Sequence, residues 1–262
     1  MELRFQNPGF VYSLNSIMEF QSDEDIINWG DSLYVFYPQL DKEYALSLSR
    51  KDRQEYLEKT LERVYRENEV LIEEKVEIYG KHWQTHRQQV NEAFSEAFEM
   101  DCAGSFNDIA GNVTLNPIGP RYIDTRSFDV FYLNSERGAI GMALHEMVHF
   151  VWFDIWRRYF GDDPSEYERP YLKWILSEMV VESIMRDERL SAINPYFPRD
   201  YEKKQNGCVY GCFYDMKVEE EPILSTLYER FQSLSITDYM EWGYGYCRKH
   251  EQEIRRQMEE YL

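Results

Sequence analysis

The stretch GMALHEMVHFVWF is the part of this chain that most constrains its fold. Between residues 138 and 153 the only charged residue is Glu146. Ala143, Leu144, Met147, Val148, Phe150 and Val151 flank and separate His145, Glu146 and His149. A helix that is apolar on all sides belongs in the interior of a protein. Burying polar groups is costly unless they find partners. Three things can satisfy such a trio: a metal ion, a hydrogen-bond network, or exposure to solvent.

The spacing favours the metal. His145 and His149 stand four apart, so on a helix their rings lie one turn apart on one face. Both imidazoles then reach a single ion at the zinc–nitrogen distance of about 2.0–2.1 Å. Glu146, next to the first histidine, is placed to take a proton from water at the metal, which is the logic of an HExxH sequence. An HExxH arising by chance on a surface helix would have Lys, Glu or Arg between and beside its histidines; here the intervening residues are Met147 and Val148.

A catalytic zinc site needs a third protein ligand and one open position. The pattern HExxHxxGxxH would supply a third histidine just downstream, but its positions hold Trp152 and Ile155, and Asp154 is out of register. The following helical segment, YLKWILSEMVVESIMRDERL, offers carboxylates instead. Glu178 and Glu182 are one turn apart among Leu176, Met179, Val180, Val181, Ile184 and Met185. Glu178 is assigned as the third ligand. Glu182 is assigned to the ligand surroundings, bonding the free ring nitrogen of a histidine. The swapped assignment, with Glu182 on the metal, stays open.

HEMVH followed by a helical SEMVVE resembles the gluzincin branch of the HExxH zinc metallopeptidases. The resemblance runs from the strand before the HExxH helix to Arg189 and leaves both ends of the chain uncovered. It implies a zincin-like core, a Zn2+ cofactor on His145, His149 and Glu178, peptide hydrolysis with Glu146 as base, and a peptide or protein substrate. It also implies an edge strand that pairs with extended substrate, and SFDVFYLN occupies the matching place in the sequence. The 28 residues between His149 and Glu178 exceed the spacing of the best-known members, so the loop around 162–170 is expected at the rim of the site. In that family a Tyr or His stabilises the oxyanion; Tyr210, Tyr214, Tyr244 and His250 are the candidates here.

The rest of the chain reads as α+β, mainly helical, with a small β-sheet preceding the HExxH helix and helical N- and C-terminal extensions. The expected segments are 1–110, 111–190 and 191–262, packed as one unit. Short helices are expected in the first 50 residues, one capped by Ser22. Leu57, Leu61, Val64 and Leu71 recur at helical spacing, and Gly80 is expected to break that helix. GNVTLNPIG and SFDVFYLN read as strands. Helices are expected over 136–160, over 171–189 with Pro170 in the first turn, after Pro222, and over 237–261. His82 and His86, with Trp83 between them, read as part of a surface helix, and His250 as exposed.

Composition narrows the classes of function. With 48 acidic and 29 basic residues the net charge is −19, which disfavours nucleic acid and acidic membrane surfaces as partners. Four cysteines in 262 residues read as free thiols rather than a disulfide framework. The first residues have neither a basic stretch nor an apolar one of signal-peptide type, and no apolar run reaches membrane-spanning length, so the cytoplasm is the expected location. Two rivals to a hydrolase remain. One is a zinc-binding regulatory or interaction protein without hydrolysis; the other is HEMVH as metal-free core packing.

Overall fold

A computed structural model of the chain describes residues 1–21, 30–161, 164–200 and 207–261. The helix expected at Ser22 lies outside the described residues. The fold is mainly helical with a small mixed sheet. Two compact units make it up: residues 2–85 with 108–139, and Met1 with 86–107 and 140–262. Among the described residues no helix is long and apolar enough to cross a membrane. All four cysteines are buried and none is in a disulfide.

The first unit is built on a sheet of β1 (Leu3–Gln6), β2 (Ile109–Thr114), β3 (Arg121–Tyr122) and β4 (Ser127–Phe131), in the order β1-β2-β4-β3. β2 runs parallel to β1 and β4, and β3 pairs antiparallel with β4. β1 falls within the first 50 residues, where short helices are expected. Its four residues alternate buried and exposed, with Leu3 and Phe5 inward. The strand expected to offer a free edge, β4, is an inner strand. β2 covers it from Ser127 to Phe131, and β3 pairs with Ser127 and Phe128 on the other side. All five of its residues are buried.

α1 (Phe10–Glu19), α2 (Asp31–Phe36) and α3 (Lys42–Ser47) lead into α4 (Arg50–Ala97), a single helix of 48 residues. Gly80 does not break it. One interior Gly costs about 1 kcal/mol relative to Ala, and buried residues on both sides, Tyr79 and Trp83 nearest, outweigh that. Leu57, Leu61 and Val64 are buried as expected, but Ile72 rather than Leu71 continues the face. His82 and His86 are half-exposed around the buried Trp83.

The second unit also holds α5 (Cys102–Ser105). α6 (Glu136–Phe160) begins where expected, with the Ser135 hydroxyl accepting the Gly138 N–H at 3.0 Å, and continues into this unit. α7 (Leu172–Met185) begins after Pro170, which lies outside it, and α8 (Glu188–Ile193) starts anew with Asp187 as its cap. Then come α9 (Gly211–Asp215), a hairpin of β5 (Lys217–Val218) and β6 (Glu221–Pro222), α10 (Ile223–Phe231), α11 (Ile236–Lys249) and α12 (Glu251–Tyr261). The long last helix expected from the sequence is thus two, parted at His250. α7 is the core of the unit: all of its residues are buried, and α10 and α11 pack against it. Trp152 and Trp156 of α6 meet Tyr239 and Tyr244 of α11 edge-on.

One buried acid in the sheet unit has a predictable effect. Asp129, in the middle of β4, is fully buried and accepts hydrogen bonds from Ser16, Tyr12 at 2.9 Å and Asn112 at 3.3 Å. Burial raises its pKa from 3.8 to about 6, against the pull of those three donors. Between these values the unfolded chain has released the proton and the folded chain still holds it, so stability falls as pH rises through the window. Measured by urea unfolding, the stability of the wild type relative to Asp129→Asn is expected to drop by about 2–3 kcal/mol from about pH 4 to about pH 7. A difference that does not change with pH would mean that Asp129 titrates alike in the folded and the unfolded chain.

Candidate metal centre

His145, Glu146 and His149 project from the middle of α6, and Glu178 from the middle of α7. The ligand-capable atoms of His145, Glu146 and His149 all lie within 4.8 Å of one another, close enough to hold a metal ion. Glu178 closes the group. Its Oε2 is 3.2 Å from His145 Nε2 and its Oε1 is 3.4 Å from His149 Nε2, while the two Nε2 atoms are 3.0 Å apart. Ligands arranged tetrahedrally around zinc at about 2.0–2.1 Å stand about 3.3 Å from one another. The three observed separations bracket that value, so the donors are spaced to surround one metal ion.

Local sequence explains the convergence. The i, i+4 spacing brings the two imidazoles together edge-on, with ring centres 4.8 Å apart. Phe153, a further turn along, stacks at 6.2 Å on His149 and at 4.2 Å on Tyr167. Tyr167 belongs to a short 3-10 turn, 164–167, the described part of the loop expected at the rim; its ring is buried. Gly141, one turn before His145, leaves room for Tyr196: a Cβ there would lie 2.7 Å from the tyrosine ring.

Lys173, Ser177, Glu178 and Glu182 are buried polar side chains of α7 that meet partners. Lys173 pairs with Glu166, and Ser177 donates to the Trp174 carbonyl at 2.8 Å. Glu178 faces the histidines. Glu182 was expected to bond a ligand histidine, but its carboxylate takes the Arg186 guanidinium, with both oxygens about 3 Å from Nε. Arg186, which caps α7 one turn further on, brings a charged donor to that carboxylate. Burial raises the pKa of Glu182 and Arg186 opposes the shift.

The histidine is oriented by a group that side-chain patterns do not reveal. His145 Nδ1 lies 2.9 Å from the main-chain oxygen of Cys208. A carbonyl only accepts, so Nδ1 carries the proton and Nε2 presents its lone pair to the centre. Burial disfavours charge on His145, yet the hydrogen bond to Glu178, the charges of Glu146 and Glu178 and the Cys208 carbonyl together raise its pKa to about 9. The position therefore favours positive charge. The His145 side chain keeps 19% of its surface exposed, while His149 and Glu178 keep 0% and 1%.

The oxyanion candidates lie in different surroundings. Tyr214 receives the Cys208 N–H at 3.1 Å and so connects to His145 through the backbone of one residue. Tyr210 packs near Trp174 and Phe213, and Tyr244 edge-on to Trp156. His250 is not exposed as expected: its side chain is 9% accessible, 3.6 Å from Glu219 and packed on Tyr246. Comparison with protein-family models, curated proteins and solved structures gives no match. The reading of the centre therefore rests on its own residues.

The Glu182–Arg186 pair makes a separable prediction. Removing one partner of a buried pair leaves the other charge in poor solvation. Arg186 is partly exposed, which reduces the effect, so Arg186→Ala is expected to cost about 2–3 kcal/mol in chemical unfolding at neutral pH. A cost below about 0.5 kcal/mol, the usual range for surface changes, would mean that Glu182 draws its support from elsewhere.

Proposed function

We propose that this protein is a zinc-dependent hydrolase, a metallopeptidase of gluzincin type, with zinc held by His145 Nε2, His149 Nε2 and the Glu178 carboxylate. The observation that carries the reading is the approach of these three side chains to within 3.0–3.4 Å on two buried helices. Two neutral imidazoles and one carboxylate form a donor set of catalytic type, with a fourth position left for water or substrate. When bound, the ion supplies Lewis acidity and makes water acidic near neutral pH.

Glu146 is the base in this reading. Its carboxylate accepts the proton of the attacking water and then delivers it to the leaving nitrogen. It is 7% exposed, which limits its competing solvation and keeps proton transfer local. His145 and His149 hold position because α6 is packed along its length, and Glu178 because α7 has no exposed face. The chain order of strand, HExxH helix and glutamate helix supports a zincin-like core. A peptide or protein substrate, met in the cytoplasm, completes the proposal.

One observation favours a second reading, a zinc-binding regulatory protein without hydrolysis. β4, the strand expected to hold extended substrate, is already paired with β2 and β3.

Elemental analysis of the purified protein is expected to give about one zinc per chain, kept in Glu146→Gln and lost in His145→Ala and Glu178→Ala. Peptide hydrolysis is expected to fall by about 10²–10⁴-fold in Glu146→Gln, the range for removing a general base. A wild type that neither carries zinc nor takes it up overturns the reading. Zinc without cleavage of any member of a broad peptide library selects the regulatory alternative.

A further inference from the structure

Both main-chain polar groups of Cys208 are held, each in its own peptide unit. Its carbonyl oxygen faces His145 Nδ1 at 2.9 Å, and its N–H donates to the Tyr214 hydroxyl at 3.1 Å. We propose that Tyr214 is a positioning residue for the metal centre: its hydroxyl anchors the Cys208 main chain at the N–H, and the carbonyl of the same residue fixes His145 in the tautomer that leaves Nε2 free to bind the ion. The proposal rests on the metal reading given above and adds a residue to it.

Three features show that this contact is built into the fold. Tyr214 lies on α9, whose Cys212 and Phe213 are buried and anchor the helix. The Arg199 guanidinium sits over the Tyr214 ring, 4.7 Å from its centre. Gly207 gives the ring its place: a Cβ there would lie 2.1 Å from the hydroxyl oxygen and 2.3 Å from a ring carbon. A glycine next to Cys208 thus permits the hydroxyl to reach the N–H of that residue.

The physical need is clear. A neutral imidazole has two tautomers, and only the one protonated at Nδ1 offers Nε2 as a donor to the centre. A carbonyl partner at Nδ1 selects that tautomer and holds the ring plane, but only if the main chain carrying it is itself fixed. Outer partners of this kind typically change metal affinity about 10–100-fold when removed. With its oxygen accepting the Cys208 N–H, Tyr214 acts on the metal through His145 and has no need to touch substrate.

The test compares wild type with Tyr214→Phe, which keeps the ring over Arg199 and removes only the hydroxyl. Zinc affinity is measured by competition with a chelator. The His145 tautomer is read from ring-nitrogen NMR shifts in the metal-free protein at a pH above the raised His145 pKa, where the ring is neutral, a signature that general loss of packing would not produce in a folded variant. Tyr214→Phe is expected to bind zinc at least about 10-fold more weakly and to mix the His145 tautomers, with an unfolding midpoint close to that of wild type. Gly207→Ala is the second variant, used in any case and decisive if Tyr214→Phe does not fold; it displaces the hydroxyl without removing it and is expected to give the same two changes. Equal zinc affinity and an unchanged tautomer in a folded variant overturn the proposal and leave the metal reading intact. A wild type that binds no zinc overturns the metal role of both, and the tautomer comparison then reports separately on whether Tyr214 orders His145.

Discussion

Glu178 stands on a helix with no exposed residue, and its carboxylate is tolerated there because two imidazoles meet it at 3.2 and 3.4 Å. Moving an ionised carboxylate out of water costs several kcal/mol unless charge and hydrogen bonds return it. That requirement explains much of the second unit. α6 has to present two histidines on one face at the level of Glu178, and α7 has to be covered by α10 and α11 to remain dry. The apolar sequences of both helices are the means of doing so. A sequence that buried these helices without the histidines would leave Glu178 to be neutralised by protonation.

The legible part of this chain is the part governed by local periodicity. α6 begins and ends where its cap and apolar run say, and Glu178 meets the two histidines that the pattern pointed to. What the sequence hid depends on partners distant along the chain. β1 is four residues long, and its place beside β2 is set by a pairing across about a hundred positions. Whether β4 lies at an edge is a property of sheet order, which strand composition does not carry. Gly80 shows the opposite limit: a propensity of about 1 kcal/mol gives way to the packing of a buried face.

The partner of His145 was hidden for a different reason. Cys208 contributes a carbonyl oxygen, and every residue has one, so no side-chain pattern marks it. The signal lay beside it, in a glycine at 207 and a tyrosine at 214, and it becomes readable only when the fold closes the separation of 63 positions between His145 and Cys208. Glu182 misled because a buried carboxylate one turn from Glu178 suggested a shared purpose. Arg186, one turn further along the same helix, was the simpler partner.

The contrast between those two carboxylates argues for what the centre is built to hold. Glu182 is matched by a permanent cation from its own helix, a fixed ion pair. Glu178, equally buried, faces ligands whose charge can change: neutral imidazoles that accept either a proton or a metal. With both imidazoles neutral, Glu146 and Glu178 give the group a charge of −2, and a divalent cation cancels it. The raised pKa of His145 expresses the same preference with a proton as the cation. A purely structural network would gain by fixing the charge permanently, as the arginine does for Glu182. Keeping two titratable bases on a carboxylate in a dry interior makes physical sense when the cation is meant to arrive from outside.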